Sequence, residues 1–278
     1  MTTYKSILVH YDASKTAPLR LETAIGVAAP FNAHIACLYA LSAELDPTYA
    51  YEATEVLREA HQRARAQMLA DARKSYQECL RRAGFDKAEW RESTADAVEA
   101  VSLQARYADL VVIGQQNPDS PGGIDKYFQR NLPLAAGRPV LVVPYAFDRK
   151  PVGKRVMVAW NASREAARAV TDALPLLERA SQVQVVAFRP EKGGDAHGDE
   201  PGADIAHYLA RHGVKVGVSR YDAPDVDVGN QLLSRAFDFS ADLIVMGAWG
   251  HSRLRELVLG GVTRTLLESM TVPVLMAH

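Results

Sequence analysis

The residues of this chain best suited to bind a ligand are four glycines near its carboxyl terminus. Gly247 and Gly250 are separated by two residues, and nine more residues lead to the pair Gly260-Gly261. Glycine allows positive φ and close backbone approach to a ligand. A predicted helix begins at the pair, and the free N–H groups of a helix start suit phosphate. The neighbouring candidates in the same loop and helix start are His251, Arg253, Val262 and Thr263.

Two interpretations of this loop are open at the level of residues. The first is a phosphate-binding loop in which Thr263 adds a hydroxyl. The second is that the glycines only form turns, that Thr263 is a helix cap, and that His251 and Arg253 are solvated. Four glycines placed around one loop and one helix start favour the first interpretation.

The pattern that leads into this loop occurs twice. Residues 108–114 (ADLVVIG) recur as residues 241–247 (ADLIVMG), and each copy is followed by a proline-led apolar run. At 278 residues the chain is long enough for two domains of ordinary size. We therefore predict a tandem duplication with one domain at 1–147 and a second at 153–278, joined by a linker too short to let them separate.

Each half alternates short Val/Ile/Leu-rich runs with helical segments. This alternation predicts right-handed βαβ crossovers and a parallel sheet covered on both faces. The expected fold is α/β, with two tandem, doubly wound, five-stranded parallel-sheet domains of the Rossmann-like kind. Such sheets bind ligands at the carboxyl ends of their strands. The predicted strands are 5–11, 33–40, 87–92, 109–113 and 139–144 in the first half, and 154–160, 182–188, 214–220, 242–246 and 272–277 in the second.

A long helix is predicted over 52–83 in the first half only. Its apolar residues recur at three- and four-residue steps and form a single stripe. The stripe either covers the core or the other domain, or serves as a surface for a protein partner or an oligomer. Apolar stripes are usually core, which favours the first role.

The tandem architecture, the Gly-x2-Gly-x9-Gly spacing and the proline-led final strands resemble the universal stress protein family along essentially the whole chain. The resemblance implies an adenine-nucleotide alpha-hydrolase-like fold and ATP as the ligand, with or without magnesium. In that family a Ser or Thr follows the last glycine, whereas this chain has Gly261. The hydroxyl is therefore missing and the backbone N–H remains, with Thr263 as a partial substitute.

The resemblance also implies residues that hold the nucleoside. The family's acid at the end of the first strand corresponds to Asp12 in the first half and to Asn161 in the second, where an uncharged amide replaces it. Phe188 falls where the family lines its adenine pocket, and ordinary core is the equally weighted alternative. The two halves are expected to pack as a pseudo-symmetric intramolecular dimer through their final strands. A homodimer of the whole chain stays open.

The first half has lost most of the loop. It keeps Asp12 and Gly114, but Asn117 stands in place of Gly250, and Lys126-Tyr127 stand in place of the glycine pair. Bulk at that pair would block a phosphate from the backbone. Asp12 and Gly114 are therefore only weaker candidates, and nucleotide binding is predicted for the second half.

Bulk properties and missing motifs narrow the function classes. A net charge of −1 gives no support to nucleic-acid or acidic-membrane binding. The chain contains no apolar run of membrane-spanning length and starts directly in a predicted strand, so we expect no signal peptide and a cytoplasmic protein with reduced cysteines. The P-loop, GxGxxG, HExxH and GxSxG motifs are absent from the sequence. We predict no catalytic residue and no metal site.

Together these features predict a cytoplasmic stress-response protein that binds ATP in its second half and works as a sensor or switch. Nucleotide would order the 248–261 loop, and an unknown protein partner would read the ordered state. One alternative is a slow ATPase, for which Glu256 is the acid inside the loop. The other is an interaction or chaperone-like module in which neither half binds nucleotide and the long helix carries the function.

Overall fold

The computed structural model describes residues 3–41, 55–120, 123–148, 151–189, 202–222, 227–248 and 260–278. The strands are β1 Ser6–Tyr11, β2 His34–Tyr39, β3 Ala88–Glu92, β4 Leu110–Gly114, β5 Val140–Val143, β6 Arg155–Trp160, β7 Gln182–Arg189, β8 Val216–Asp222, β9 Leu243–Gly247 and β10 Val274–Ala277. The helices are α1 Ala17–Ala28, α2 Glu55–Ala83, α3 Ala97–Ala105, α4 Lys126–Ala135, α5 Arg164–Leu177, α6 Ala203–Arg211, α7 Val228–Asp238 and α8 Gly261–Ser269.

All ten strands form one continuous sheet in the order β3-β2-β1-β4-β5-β10-β9-β6-β7-β8. Within each half the strands are parallel, and the two halves join where β10 pairs with β5 in antiparallel fashion. The predicted α/β fold with two tandem parallel-sheet domains is confirmed. The prediction that the final strands of the two halves meet is confirmed as well.

The repeated ADL motif has a structural role in both halves. Asp242 accepts hydrogen bonds from the backbone N–H groups of Gly153, Lys154 and Arg155 at 2.8–3.0 Å, which fixes the start of β6. Asp109 does the same for Lys5 and Ser6 at the start of β1. The acid therefore satisfies donors that precede the sheet ladder. Its repetition reflects strand placement and carries no ligand chemistry.

Helices cover both faces of the sheet, as expected for parallel strands that are apolar on both sides. Helices α1, α2, α5 and α6 pack on one face, and helices α3, α4, α7 and α8 pack on the other. At the domain junction the buried amides of Gln115 and Gln129 both donate to the carbonyl oxygen of Leu267, each at 3.0 Å. This shared acceptor ties α8 to the first domain.

The long helix of the first half is confirmed from residue 55 onward, and residues 52–54 lie outside the described part. Its carboxyl-terminal half is the cap that the apolar stripe predicts, because Ala72, Tyr76 and Cys79 are buried against the core of the first domain. Ala60 and Ala64, on the same stripe, are exposed. The described helices include none that is both long and apolar enough to cross a lipid bilayer.

Candidate functional site

The second domain places three of its predicted site residues at the carboxyl ends of neighbouring strands. Asn161 follows β6, Phe188 lies near the end of β7, and Gly247 ends β9, while β6 is flanked by β7 and β9. Helix α8 begins at Gly261 after the loop that leaves β9. The predicted residues Gly250, His251 and Arg253 lie outside the described residues.

Gly247 is explained by packing. A Cβ atom at this position would lie 2.5 Å from the backbone nitrogen of Ala166 and 2.7 Å from the carbonyl carbon of Glu165. The first turn of α5 therefore rests directly on the end of β9. Any side chain would push this helix away, so glycine is needed here whether or not a ligand is bound.

Gly260 and Gly261 have no such explanation. Gly260 has φ −57° and ψ 141°, a conformation that any residue adopts. Its Cβ would meet only the Thr263 hydroxyl, at 4.0 Å, and a Cβ on Gly261 would meet no atom of the described residues within 4 Å. Among the described residues, neither backbone strain nor packing requires glycine at these positions. A helix start with no described side chain against it leaves its N–H groups accessible from that part of the structure.

Among the described residues no side chain caps the start of α8, as is also the case for α1 and α6. By contrast, Ser163 caps α5 through the N–H of Ala166 at 3.1 Å, and Asp227 caps α7 through the N–H of Gly229 at 2.9 Å. Uncapped N–H groups carry the positive end of the helix dipole and are suited to an anion. Thr263 lies on this first turn and is buried.

The other end of the site offers an amide and an aromatic pair. Asn161 is exposed, and its Oδ1 accepts a hydrogen bond from the N–H of Ser163 at 3.2 Å, so its amide nitrogen is the donor it can present to a ligand. Phe188 is half-buried, and its ring centroid lies 5.9 Å from that of Tyr221 on the adjacent strand. The guanidinium of Arg235 lies 4.4 Å from the Tyr221 centroid.

Sequence reasoning missed Tyr221 and a second feature, the attachment of α8 to α7. Tyr221 is identified by the register of β7 with β8, which places it opposite Phe188. Asp227 accepts a hydrogen bond from the Thr265 hydroxyl at 3.0 Å, and a Cβ on Gly229 would lie 2.6 Å from that of Thr265. These contacts hold α8 against α7, and no local sequence pattern predicts them.

The first domain has a different arrangement at the equivalent edge. Asp12 forms a fully buried ion pair with Arg20 of α1; both side chains are at most 2% exposed. Arg20 also donates to the hydroxyl of Ser14 at 3.1 Å, and Ser14 donates to Asp12 through both its N–H and its hydroxyl. A Cβ on Gly114 would lie 2.9 Å from Arg20 Cδ. The arginine therefore runs across the end of β4.

His10 completes this buried cluster as a neutral imidazole. Arg20 Nη1 lies 3.1 Å from His10 Nδ1, and His10 Nε2 lies 2.8 Å from the carbonyl oxygen of Ala40. A guanidinium only donates, so Nδ1 accepts and Nε2 donates. Burial and the neighbouring Arg20 lower the pKa of His10 to about 4. Burial alone would raise the pKa of Asp12, but Arg20 and its hydrogen bonds hold it below its usual value.

None of these three polar groups recurs in the second domain. Asn161 replaces Asp12, and Ala159 replaces His10. The position of Arg20, counted along the chain from Asp12, corresponds to Ala169, which is buried. These three positions are uncharged in the second domain, whereas in the first domain they hold the buried ion pair and its histidine. Within the described residues no group of three or more His, Cys, Asp or Glu side chains is placed to hold a metal ion.

Comparisons with known proteins agree with this architecture. Residues 3–144 and 153–278 each match the model of the universal stress protein family. A universal stress protein from Archaeoglobus fulgidus DSM 4304 shares the fold over 98% of this chain and 95% of its own, with a TM-score of 0.70 and 15% identity. A putative universal stress protein from Pseudomonas aeruginosa UCBPP-PA14 does so over 99% and 93%, with a TM-score of 0.62 and 14% identity.

A match at the level of sequence is short. Universal stress protein Slr1230 from Synechocystis sp. is 50% identical over 38 residues, which are 14% of this chain and 13% of that protein. The chain thus matches only a small part of that relative.

Proposed function

The chain belongs to the universal stress protein family, and we propose that its second domain binds ATP while its first domain does not. The observation that carries the proposal is the start of α8 behind Gly260 and Gly261, where the described residues provide no side-chain cap and give the two glycines no packing or backbone role. Such a start offers N–H donors and space for a phosphate group. Gly260 matches the last glycine of the loop that binds ATP phosphates in this family, whereas Gly261 stands where the family has Ser or Thr.

Different described residues would contact different parts of the nucleotide. The N–H groups of Gly261, Val262 and Thr263 would hold phosphate oxygens. Phe188, with Tyr221 beside it, would support the adenine ring, and the Asn161 amide would donate to the ribose or the base. A magnesium ion bound with ATP would neutralise part of the phosphate charge. The missing hydroxyl at Gly261 and the missing charge at Asn161 weaken binding without removing the backbone donors.

The proposal that the first domain binds no nucleotide rests on Arg20. Its guanidinium engages Asp12, the weaker candidate that the resemblance assigns to the nucleoside, and its stem occupies the space above Gly114. A ligand would have to displace a buried charge and leave Asp12 without its partner. Both steps are energetically costly in a desolvated site.

As a cytoplasmic stress-response protein, the chain would use ATP as a signal. Nucleotide binding would order the 248–261 loop at the start of α8, and a protein partner would recognise that state. Limited proteolysis with and without magnesium-ATP tests this step. Protection of the loop at saturating ATP is expected, and an unchanged cleavage rate would refute the ordering step while leaving binding itself intact.

A matched pair of variants tests binding. In both Gly260→Asp and Gly260→Asn the new side chain can cap α8, so both variants should fold. Only aspartate places a negative charge against the phosphates. Calorimetric titration with magnesium-ATP should give micromolar binding to the wild type, weaker binding to Gly260→Asn and none to Gly260→Asp. No binding to the wild type would refute the proposal and favour an interaction module; phosphate release that depends on the loop glycines would favour the slow ATPase.

A further inference from the structure

A cleft of about 390 Å3 lies at the junction of the two domains, apart from the proposed nucleotide site. One wall is α1 and the turn after it, with Gly26, Val27 and Phe31. The other wall is the interdomain linker and the end of α5, with Lys154, Leu176 and Arg179. The Asp242 carboxylate fixes the linker wall by accepting hydrogen bonds from the N–H groups of residues 153 and 154. Ligand pockets of this size are common where domains meet.

Gly26 keeps the cleft open. It lies inside α1, where glycine is the least favourable residue after proline. It is exposed, its φ is not in the left-handed region, and a Cβ on it would meet no atom of the described residues within 4 Å. Neither packing nor backbone conformation therefore calls for glycine. A larger side chain at this position would project into the cleft.

The chemistry of the walls favours an anion with an apolar body. Phe31 packs edge-on against Tyr4, with ring centroids 5.3 Å apart, and the Arg179 guanidinium lies 5.4 Å from the Phe31 centroid. Lys154 adds a second cation. The single carboxylate in the lining, Glu22, already pairs with Arg82 at 3.4 Å. The cleft therefore combines a flat aromatic surface with cationic groups.

We propose that this cleft binds a small organic anion with a flat apolar body, such as an aryl carboxylate. The ring lies against Phe31, Val27 and Leu176, and the carboxylate is bound by Arg179 and Lys154. Because the ligand contacts both domains, its binding stabilises their junction. The proposal does not rest on ATP binding by the second domain.

Calorimetric titration of the full chain with naphthoate, and with the neutral analogue naphthylmethanol, tests the proposal. Saturable binding of naphthoate is expected, with the neutral analogue and the Arg179→Gln variant each binding about tenfold weaker, since each loses a charge-assisted hydrogen bond. Gly26→Leu fills the cleft and should abolish binding. Gly26→Ala is the matched control and should retain it.

One further variant and a competition separate this cleft from the nucleotide site. Gly260→Asp and saturating ATP should both leave the naphthoate affinity unchanged. Absence of saturable naphthoate binding to the wild type would overturn the proposal. So would full affinity in Gly26→Leu with unchanged thermal stability, and so would displacement of naphthoate by ATP.

Discussion

Replacing Arg20 with methionine should destabilise the first domain by about 3–5 kcal/mol, the usual effect of removing one partner from a buried ion pair. The upper half of this range is expected here. Both side chains are at most 2% exposed, and Arg20 also donates to Ser14 and His10. The unbranched methionine side chain occupies most of the space of the arginine stem, so little of the lost stability comes from a cavity. Asp12 is left with the Ser14 hydrogen bonds alone.

The double variant Asp12→Asn, Arg20→Met identifies the cause. It removes both charges, as the second domain does at Asn161 and Ala169, and should recover at least about 2 kcal/mol of the loss through the coupling between the two sites. Urea denaturation at pH 7, followed by circular dichroism and fluorescence, measures both values. A loss below about 1 kcal/mol in the single variant, or no recovery in the double, would refute the electrostatic reasoning.

The pH dependence of stability provides a further check on the Arg20→Met variant. Without Arg20, burial raises the folded-state pKa of Asp12 above its unfolded value of about 3.9. A group with a raised pKa contributes stability at low pH that is lost as the pH rises through that pKa. The gap in unfolding free energy between Arg20→Met and the wild type should therefore narrow as the pH falls from neutral toward about 5.

Three more predictions concern buried groups. The folded-state pKa of His10 is about 4 and lies below its unfolded value, so the unfolded state binds the proton first as the pH falls. The wild type should therefore lose about 3 kcal/mol of unfolding free energy between pH 6.5 and pH 4, and His10→Gln should lose less. Urea denaturation measures both values. Gly247→Ala should lower the melting temperature sharply because its Cβ meets helix backbone at 2.5 Å, whereas Gly261→Ala, with open space, should change stability by less than about 0.5 kcal/mol. Burial raises the pKa of the Cys37 thiol, so Cys37 and Cys79 should react with a thiol reagent only after urea unfolding.

The repeat made the architecture predictable, because two copies of one strand pattern fix two parallel sheets and leave the final strands as their meeting edge. Packing partners were less accessible. The apolar stripe of α2 is periodic throughout, yet periodicity alone does not indicate what covers it, and Ala60 and Ala64 are exposed. Gly247 and Gly261 look alike in sequence, and only the position of α5 separates a packing glycine from one whose Cβ would meet no described atom within 4 Å.

The two candidate sites show the same limit. Asp12 is the acid that the family pattern calls for and Asn161 is not, yet the altered loop after Gly114 makes Asp12 the weaker candidate. The structure buries it against Arg20, eight residues further along on the next helix, and no spacing rule predicts that contact. Tyr221 was missed because its proximity to Phe188 depends on the register between β7 and β8, which local sequence patterns do not give.

The stoichiometry of magnesium-ATP binding to the intact chain tests the central claim most directly. Isothermal titration of the wild type, with Gly260→Asp and Arg20→Met measured beside it, separates the two domains. One nucleotide per chain is expected in the wild type and in Arg20→Met, and none in Gly260→Asp. Two nucleotides per chain, or binding that survives in Gly260→Asp, would contradict the assignment of the site to the second domain.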